Sequence, residues 1–278
     1  MFQIRLTPIV KRLLIINVIM WAITAFVPVL NLGYHLAMYD VSSEHFRPWQ
    51  FITHIFMHST SRDTLGNVDI SHILSNSLGL IFLGPMLEGA LGSKRFFSYY
   101  LLTGLGAAAL HLGFSKLYIN YLNVQIYEFT LHPTRQTFFE IANDMLPRSI
   151  LIEDKNFNNM YNLIDKNLSP KLINQEVVEV AEKFLNDIVA LKANVPMVGA
   201  SGAIYGLLAA LGILFGDRKF YILFLPIAVK IKWIAIFMIG SAFMKGVVFD
   251  SNDNVAHFAH LGGALIGAIL IYQWKRTK

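Results

Sequence analysis

The sequence contains no cysteine, and this absence excludes disulfide bonds and thiolate chemistry. Charge is scarce as well, because only 15% of the 278 residues are charged, whereas a soluble globular chain carries about a quarter. Hydrophobic residues make up 55% of the chain, and its mean hydropathy is +0.50. The formal net charge of +5 does not indicate a nucleic-acid partner, since the basic residues are spread between apolar segments. The composition therefore predicts an integral membrane protein.

Hydropathy predicts about six membrane spans. Their approximate bounds are about 13–30, 70–91, 96–114, 199–215, 233–249 and 255–274. Short basic clusters lie at both termini and in the loops that follow the second and fourth spans. The positive-inside rule then places both termini in the cytoplasm and the loops after the first, third and fifth spans on the outer side. We expect a multi-pass protein of a bacterial cytoplasmic (inner) membrane.

A long polar segment, residues 116–194, separates the third span from the fourth. We expect an inserted outward loop, partly helical, within a single membrane domain of residues 1–278. Val177, Ala181 and Phe184 recur at spacings of three and four, with acidic residues between them. This pattern predicts an amphipathic helix that lies on the membrane or on the protein's own outer surface. No separate soluble domain is indicated.

The fourth predicted span begins with a serine among glycines. Pro196 and Gly199 mark a helix start, and Ser201 to Phe215 is about 15 residues, roughly 22 Å at about 1.5 Å per residue. The hydrocarbon layer is about 30 Å thick, so Ser201 is expected roughly 8 Å below the outer surface when the basic end lies at the cytoplasmic interface. Backbone N–H groups in a first helical turn lack intrahelical partners and therefore suit a developing oxyanion.

A serine nucleophile needs a general base, and the sixth span offers His257 and His260. Spacing favours His260, because two glycines follow it at steps of three and four along one helical face. Small residues of this kind let two helices approach closely. The glycines that would allow the fourth and sixth spans to pack in this way are Gly202, Gly206, Gly263 and Gly267.

The second span carries His72 and Asn76 at positions i and i+4, near its outer end. An imidazole and an amide beside Ser201 would donate hydrogen bonds to a tetrahedral intermediate. Tyr205 lies one turn below Ser201 on the same face and is expected to pack against the imidazole of His260. No Asp or Glu in the outer halves of the spans is placed to orient that ring. The pattern predicts a serine–histidine dyad.

Each of these residues also has an ordinary structural explanation when taken alone. Ser201 would then be a packing serine, His260 a satisfied buried histidine, and the His72–Asn76 pair a set of hydrogen bonds between helices. The joint pattern favours catalysis, because three separate spans bring polar groups to one depth on one side of the membrane.

Two further histidines, His54 and His58, share i, i+4 spacing and raise the possibility of a metal site. Zinc proteases place Glu directly after the first histidine, whereas Ile55 stands there in this chain, so we expect structural loop histidines and no metal. Glu88, near the cytoplasmic end of the second span, is expected to be a structural hydrogen-bond acceptor.

These residues resemble the motifs of the rhomboid family of intramembrane serine proteases. The stretch from Gly199 to Gly202 is similar to the family's GxSG nucleophile motif, and the stretch from His260 to Gly267 is similar to its HxxGxxxG motif. The pair His72 and Asn76 resembles the family's HxxxN pair. The resemblance implies that Ser201 is the nucleophile, that His260 is the base, and that His72 and Asn76 stabilise the oxyanion.

The chain departs from the family pattern in three places. Gln50 stands where the family usually has Arg after Trp, so the contact that anchors the first outward loop is in question. Extra residues, about 61–69, separate that loop from His72. The long third loop is an insertion whose role the sequence does not reveal.

The resemblance implies a six-transmembrane-helix, rhomboid-like, all-α bundle that acts as a serine endopeptidase. Its expected partners are the lipid bilayer and single-span membrane proteins, cleaved near their outer ends without a metal or other cofactor. One alternative is a non-catalytic rhomboid-like protein that binds transmembrane clients. A second is a transporter or metal-binding membrane protein. Ser201 and His260 favour the protease, because inactive members of the family lack one or both residues.

Overall fold

A computed structural model describes residues 5–146, 155–169, 172–221, 228–248 and 254–276. The described chain is mainly α-helical. The α-helices are Pro8–Phe26 (α1), Leu32–Leu36 (α2), Gln50–Thr53 (α3), Ser71–Leu91 (α4), Ser93–Leu131 (α5), Arg135–Met145 (α6), Lys155–Asn167 (α7), Gln175–Ala193 (α8), Ser201–Phe215 (α9), Ile231–Phe243 (α10) and Asn254–Arg276 (α11). Two antiparallel ribbons join Leu168–Ser169 (β1) to Leu172–Ile173 (β2) and Lys219–Tyr221 (β3) to Ala228–Lys230 (β4).

The chain divides into two compact units. The first takes in Met1–Tyr39, Glu44–Gly113 and Pro196–Lys278. The second takes in Asp40–Ser43 and Phe114–Val195.

Helix α9 lies at the centre of the first unit. It is buried along most of its length, and it packs most extensively against α11 and also against α10 and α4. Its sequence explains this position, because it is almost entirely apolar and rich in glycine and alanine, which allow neighbouring helices to come close. The remaining core side chains are large and fully buried, as at Tyr99, Leu80 and Leu13.

The predicted spans coincide with helices of the first unit. Helices α1 and α4 are each long and apolar enough to cross a membrane, and α9 is apolar but only 15 residues long. Helix α5 does not end near Phe114, where the predicted span ends, but continues to Leu131. The predicted fifth span overlaps α10, which begins slightly earlier, at Ile231, and it contains a π-helical turn, Met244–Val248. The last residue of this predicted span lies outside the described residues. The count of six spans stays a prediction.

Glu88 ties the start of α1 to the turn between α4 and α5. Its carboxylate accepts the backbone N–H groups of Ile9 and Val10 at 3.1 Å and the hydroxyl of Ser93 at 2.6 Å. The first N–H groups of a helix have no intrahelical acceptor, and a negative charge there is favourable. Glu88 is therefore a structural hydrogen-bond acceptor, as the sequence indicates.

The second unit has a hydrophobic core of its own. The second half of α5 together with α6 and α8 contributes most of it, through side chains such as Leu122, Phe129, Phe138, Met145 and Leu185. The amphipathic helix expected in this segment is present as α8. Val177, Ala181 and Ile188 of its apolar face pack into this core, whereas Val180 and Leu191 are exposed. Contact of this helix with the membrane or with the protein's outer surface stays a prediction.

A buried carboxylate holds the short segment Asp40–Ser43 within the second unit. Asp40 accepts the hydroxyls of Ser42 and Ser115, both at 2.6 Å, and the backbone N–H of Ser42 at 2.9 Å. Burial by itself would raise the pKa of Asp40, but these hydrogen bonds outweigh it and the pKa is lowered. Asp40 is therefore a charged acceptor at neutral pH.

Candidate active site

Ser201 and His260 are in direct contact. Ser201 is the first residue of α9, His260 lies near the start of α11, and Nε2 of His260 is 2.9 Å from Oγ of Ser201. The two residues are 59 positions apart in sequence. A hydroxyl that hydrogen-bonds to a ring nitrogen at this distance is in the geometry that proton transfer requires.

Glycines allow this contact because they bring the backbones of α9 and α11 together. A Cβ atom at Gly263 would overlap the backbone of Gly202. A Cβ atom at Gly267 would lie 2.9 Å from both Cα and the carbonyl oxygen of Gly206. Any larger residue at these positions would push the helices apart. The structure therefore places the four predicted glycines at the seam between the two helices.

The ring of His260 is held by an aromatic plane. Tyr205 stacks on it with ring centroids 4.3 Å apart and an interplanar angle of 4°. Within the described residues, no group hydrogen-bonds to Nδ1 of His260, so no described carboxylate orients the ring. His257 meets the same ring edge-on at 6.2 Å.

His72 reaches the turn that precedes Ser201. Its Nδ1 accepts the backbone N–H of Ser59 at 3.0 Å, which leaves Nε2 as the protonated donor in the neutral ring. A Cβ atom at Gly199 would lie only 2.9 Å from that Nε2. Gly199 also has a φ of 121°, a conformation that residues with a side chain rarely adopt. Glycine is thus required at this position for two separate reasons.

Asn76 lies on the same face of α4, one turn below His72. Its amide nitrogen donates to the carbonyl oxygen of His72 at 2.8 Å, and this leaves its second N–H available. Helix α4 touches α9 where a Cβ atom at Gly79 would lie 2.9 Å from Ile204. Asn76 and Ser201 each lie one turn closer to the N-terminus of their helix than this contact, so the packing brings them to the same level.

The start of α9 offers backbone donors as well. No side chain caps this helix, and the N–H groups of a first turn have no intrahelical acceptors. The N–H of Gly199 is already bound to the carbonyl oxygen of His54 at 3.0 Å, so it is not among the available donors. The backbone N–H of Ser201 belongs to this first turn.

Gln50 anchors the first outward loop, in spite of the departure from the family pattern. It is fully buried, its side-chain oxygen accepts the N–H of Arg47, and its side-chain nitrogen donates to the carbonyl of His45, both at 3.0 Å. Its own carbonyl accepts Nδ1–H of His54 at 2.8 Å. Because the carbonyl of His54 holds Gly199, hydrogen bonds lead from Gln50 to the turn before the serine.

The two loop histidines, His54 and His58, are buried. Burial lowers the pKa of His54 and of His58 to about 4, so both rings are neutral at physiological pH. His58 packs against His72 with ring centroids 5.4 Å apart. Among the described residues, no group of three or more His, Cys, Asp or Glu side chains could hold a metal ion.

The extra residues before α4 form a small hydrogen-bonded turn. Arg62 and Val68 pair as an isolated bridge, and the Arg62 guanidinium donates to the carbonyl of Ala25 at 2.9 Å. Asp69 accepts the N–H of Ser71 at 2.8 Å and so supports the start of α4. His72 therefore lies in the first turn of a helix whose start this segment supports.

Sequence reasoning assigned no residue of α5 to the site, yet α5 contacts both helices of the dyad. Ala107 packs against the position of Gly202, and Thr103 packs against Gly206. Tyr99 donates its hydroxyl to the carbonyl of Gly206 at 2.7 Å. The available signal was the spacing of these three residues at steps of four, which places them on one helical face.

The fold and the site define a class of protein: an all-α integral membrane protein with a serine and a histidine in contact between two closely packed helices. A family model for the rhomboid domain matches residues 45–122 and 178–276, which is more than half of the chain. The chain therefore belongs to the rhomboid family. No curated protein matches the chain significantly. Membership supports an intramembrane-protease-like function on membrane proteins in the bilayer.

Proposed function

We propose that the protein is an active intramembrane serine endopeptidase that uses Ser201 as nucleophile and His260 as general base and acid. The observation that carries this proposal is the 2.9 Å contact between Nε2 of His260 and Oγ of Ser201. The stack of Tyr205 on the same imidazole supports it, because the ring is fixed before substrate binds. The family supports it as well, since Ser201 and His260 are both present.

The reaction follows from these positions. Ser201 attacks the scissile carbonyl while Nε2 of His260 takes the hydroxyl proton, and His260 then gives that proton to the leaving amine. The resulting acyl-enzyme is hydrolysed by water, with His260 again as base. The oxyanion receives hydrogen bonds from Nε2–H of His72, from the amide of Asn76 and from the N–H of Ser201. No metal or other cofactor takes part in this mechanism.

The substrate is proposed to be a transmembrane segment of a single-span membrane protein, cleaved near its outer end. Ser201 is the first residue of a helix of 15 residues, which at about 1.5 Å per residue is shorter than a hydrocarbon layer of about 30 Å. The serine is therefore proposed to lie below the outer surface of the membrane. Regular helix buries its carbonyls in its own hydrogen bonds, so small or helix-breaking residues near the cut are favoured.

We also propose the arrangement in the membrane. Six spans, with both termini in the cytoplasm of a bacterial inner membrane, agree with the basic clusters in the sequence. Residues 116–194 are then an outward helical insertion in an otherwise single membrane domain, residues 1–278.

A serine-directed fluorophosphonate tests the dyad. We expect the purified wild type to be labelled, and we expect Ser201→Ala and His260→Ala to lose labelling by at least about a hundredfold. His257→Ala is the matched control, because it removes a histidine from the same helix that does not bond to Ser201, and it should keep near-normal labelling. Equal labelling of all four proteins would contradict the dyad.

Incubation with a panel of single-span substrates extends this test to function. Cleavage by wild type but not by Ser201→Ala is expected. Absence of cleavage across the panel, together with client binding that survives Ser201→Ala, would favour a non-catalytic client-binding protein.

A further inference from the structure

The hydroxyl of Tyr99 touches both helices that carry the dyad. Tyr99 is fully buried on α5, and its hydroxyl donates to the carbonyl of Gly206 on α9 at 2.7 Å. The same hydroxyl occupies the space in which a Cβ atom at position 267 of α11 would lie. A buried hydroxyl needs a partner, and the second lone pair of a helical carbonyl can serve without breaking the helix.

The acceptor of this bond is directly next to a residue of the site. Gly206 follows Tyr205, whose ring stacks on His260, and Ser201 lies little more than one turn earlier on the same helix. A rotation of α9 about its own axis would therefore move the ring of Tyr205 and the hydroxyl of Ser201 together, away from His260.

The glycine seam alone does not prevent such a rotation. Glycine and alanine surfaces permit close approach, but they present few side chains that interlock. Of the other α5 residues on this face, Thr103 turns its hydroxyl back to the carbonyls of Tyr99 and Tyr100, and Ala107 offers only a methyl group. Tyr99 supplies a directional bond to α9, and a hydrogen bond is much more sensitive to angle than an apolar contact.

We propose that Tyr99 is a positioning residue for the dyad, because its hydrogen bond to Gly206 fixes the rotation of α9 against α11. This inference rests on the proposed function, since it assigns Tyr99 a role in the reaction of Ser201 and His260. Tyr99 itself does not touch the reacting atoms.

The neighbouring tyrosine provides a matched control. Tyr100 is equally buried on the same helix, but its hydroxyl faces Asn17 of α1, not α9. Tyr99→Phe and Tyr100→Phe each delete one buried hydroxyl and keep the ring. If Tyr99 only stabilised the fold, Tyr99→Phe would lower Tm but would leave kcat of the folded protein and the hydrogen bond between His260 and Ser201 unchanged.

The experiment compares wild type, Tyr99→Phe and Tyr100→Phe in detergent micelles. We expect Tyr99→Phe to lower kcat and the rate of fluorophosphonate labelling about tenfold or more, with KM changed by less than about twofold. Tyr100→Phe should keep both rates within about twofold of wild type. Tyr99→Phe should also lower Tm more than Tyr100→Phe, because it removes the 2.7 Å hydrogen bond to Gly206.

A second measurement does not depend on turnover. The ¹⁵N chemical shifts of the His260 ring report its hydrogen bond to Ser201, and they should change in Tyr99→Phe but not in Tyr100→Phe. Unchanged kcat and unchanged shifts in Tyr99→Phe, or equal losses in both variants, would overturn the inference. A wild type that neither cleaves nor labels, but whose shifts respond to Tyr99→Phe alone, would instead refute the proposed function.

Discussion

At the scale of single residues, the site holds its histidine by stacking and its donors by backbone contacts. Tyr205 lies parallel to the ring of His260, while the tautomer of His72 is set by the N–H of Ser59. In a serine–histidine–aspartate triad the carboxylate fixes both the orientation and the tautomer of the base. Here the orientation of His260 comes from an aromatic face, so the ring of Tyr205 matters more than its hydroxyl.

Two substitutions of Tyr205 distinguish the contribution of its ring from that of its hydroxyl. Tyr205→Phe keeps the stacked plane and should retain kcat within about twofold, whereas Tyr205→Leu removes it and should lower kcat about tenfold or more. Steady-state cleavage of a transmembrane substrate measures both effects. A large loss in Tyr205→Phe would show that the hydroxyl itself acts, and an unaffected Tyr205→Leu would show that the stack is dispensable.

Sequence reasoning reached some of these residues and missed others for physical reasons. Spacing and depth identify Ser201 and His260, because the helix rise is a constant of about 1.5 Å per residue and hydropathy is read directly from the side chains. Tyr99 could not be found in the same way, since its partner is the backbone carbonyl of Gly206 and every residue carries such a carbonyl. The sequence alone does not reveal whether Gln50 anchors the loop in place of the usual arginine. The structure shows that its uncharged amide binds backbone groups of the loop.

At the scale of helices, the site depends on how closely α9 and α11 pack. Gly202 and Gly263 meet backbone to backbone, and this contact lies one turn from the hydrogen bond between Ser201 and His260. The interior is close-packed, so an added methyl group at the seam must move a helix or strain a rotamer.

Gly263→Ala tests the seam against a matched glycine. We expect it to destabilise the protein by about 1–3 kcal/mol and to reduce fluorophosphonate labelling about tenfold or more, because its Cβ would overlap Gly202. Gly240→Ala, inside α10 with open space around it, should be neutral or stabilising by up to about 1 kcal/mol. Denaturant unfolding in micelles and labelling rates measure both variants, and a tolerated Gly263→Ala would contradict the close seam.

Helix α5 is longer than the span that hydropathy predicts. The span about 96–114 is apolar, so hydropathy predicts it. The continuation to Leu131 mixes polar and apolar residues, and the packing of Leu122 and Phe129 into the second unit's core stabilises it. Tertiary contacts of this kind are absent from a sequence window. The same packing explains why α8 buries its apolar face.

At the scale of the whole molecule, the chain joins a membrane unit of the rhomboid family to a helical insertion with its own core. The matched residues 45–122 and 178–276 leave much of that insertion outside the family model. The proposed orientation, with both termini in the cytoplasm and this insertion on the outer side, rests on the distribution of basic residues.

Because the wild type has no cysteine, single cysteines can report this orientation without background. Leu65→Cys and Leu191→Cys replace side chains that are 84% and 66% exposed, and both should react with a membrane-impermeant maleimide in intact spheroplasts. Lys94→Cys and Lys219→Cys, at exposed positions in the predicted cytoplasmic loops, should react only after the membrane is opened. The reverse labelling pattern would show that the orientation is the opposite of the proposed one. Labelling of positions 65 and 191 from opposite sides would contradict six spans, because an even number of crossings must separate these two positions.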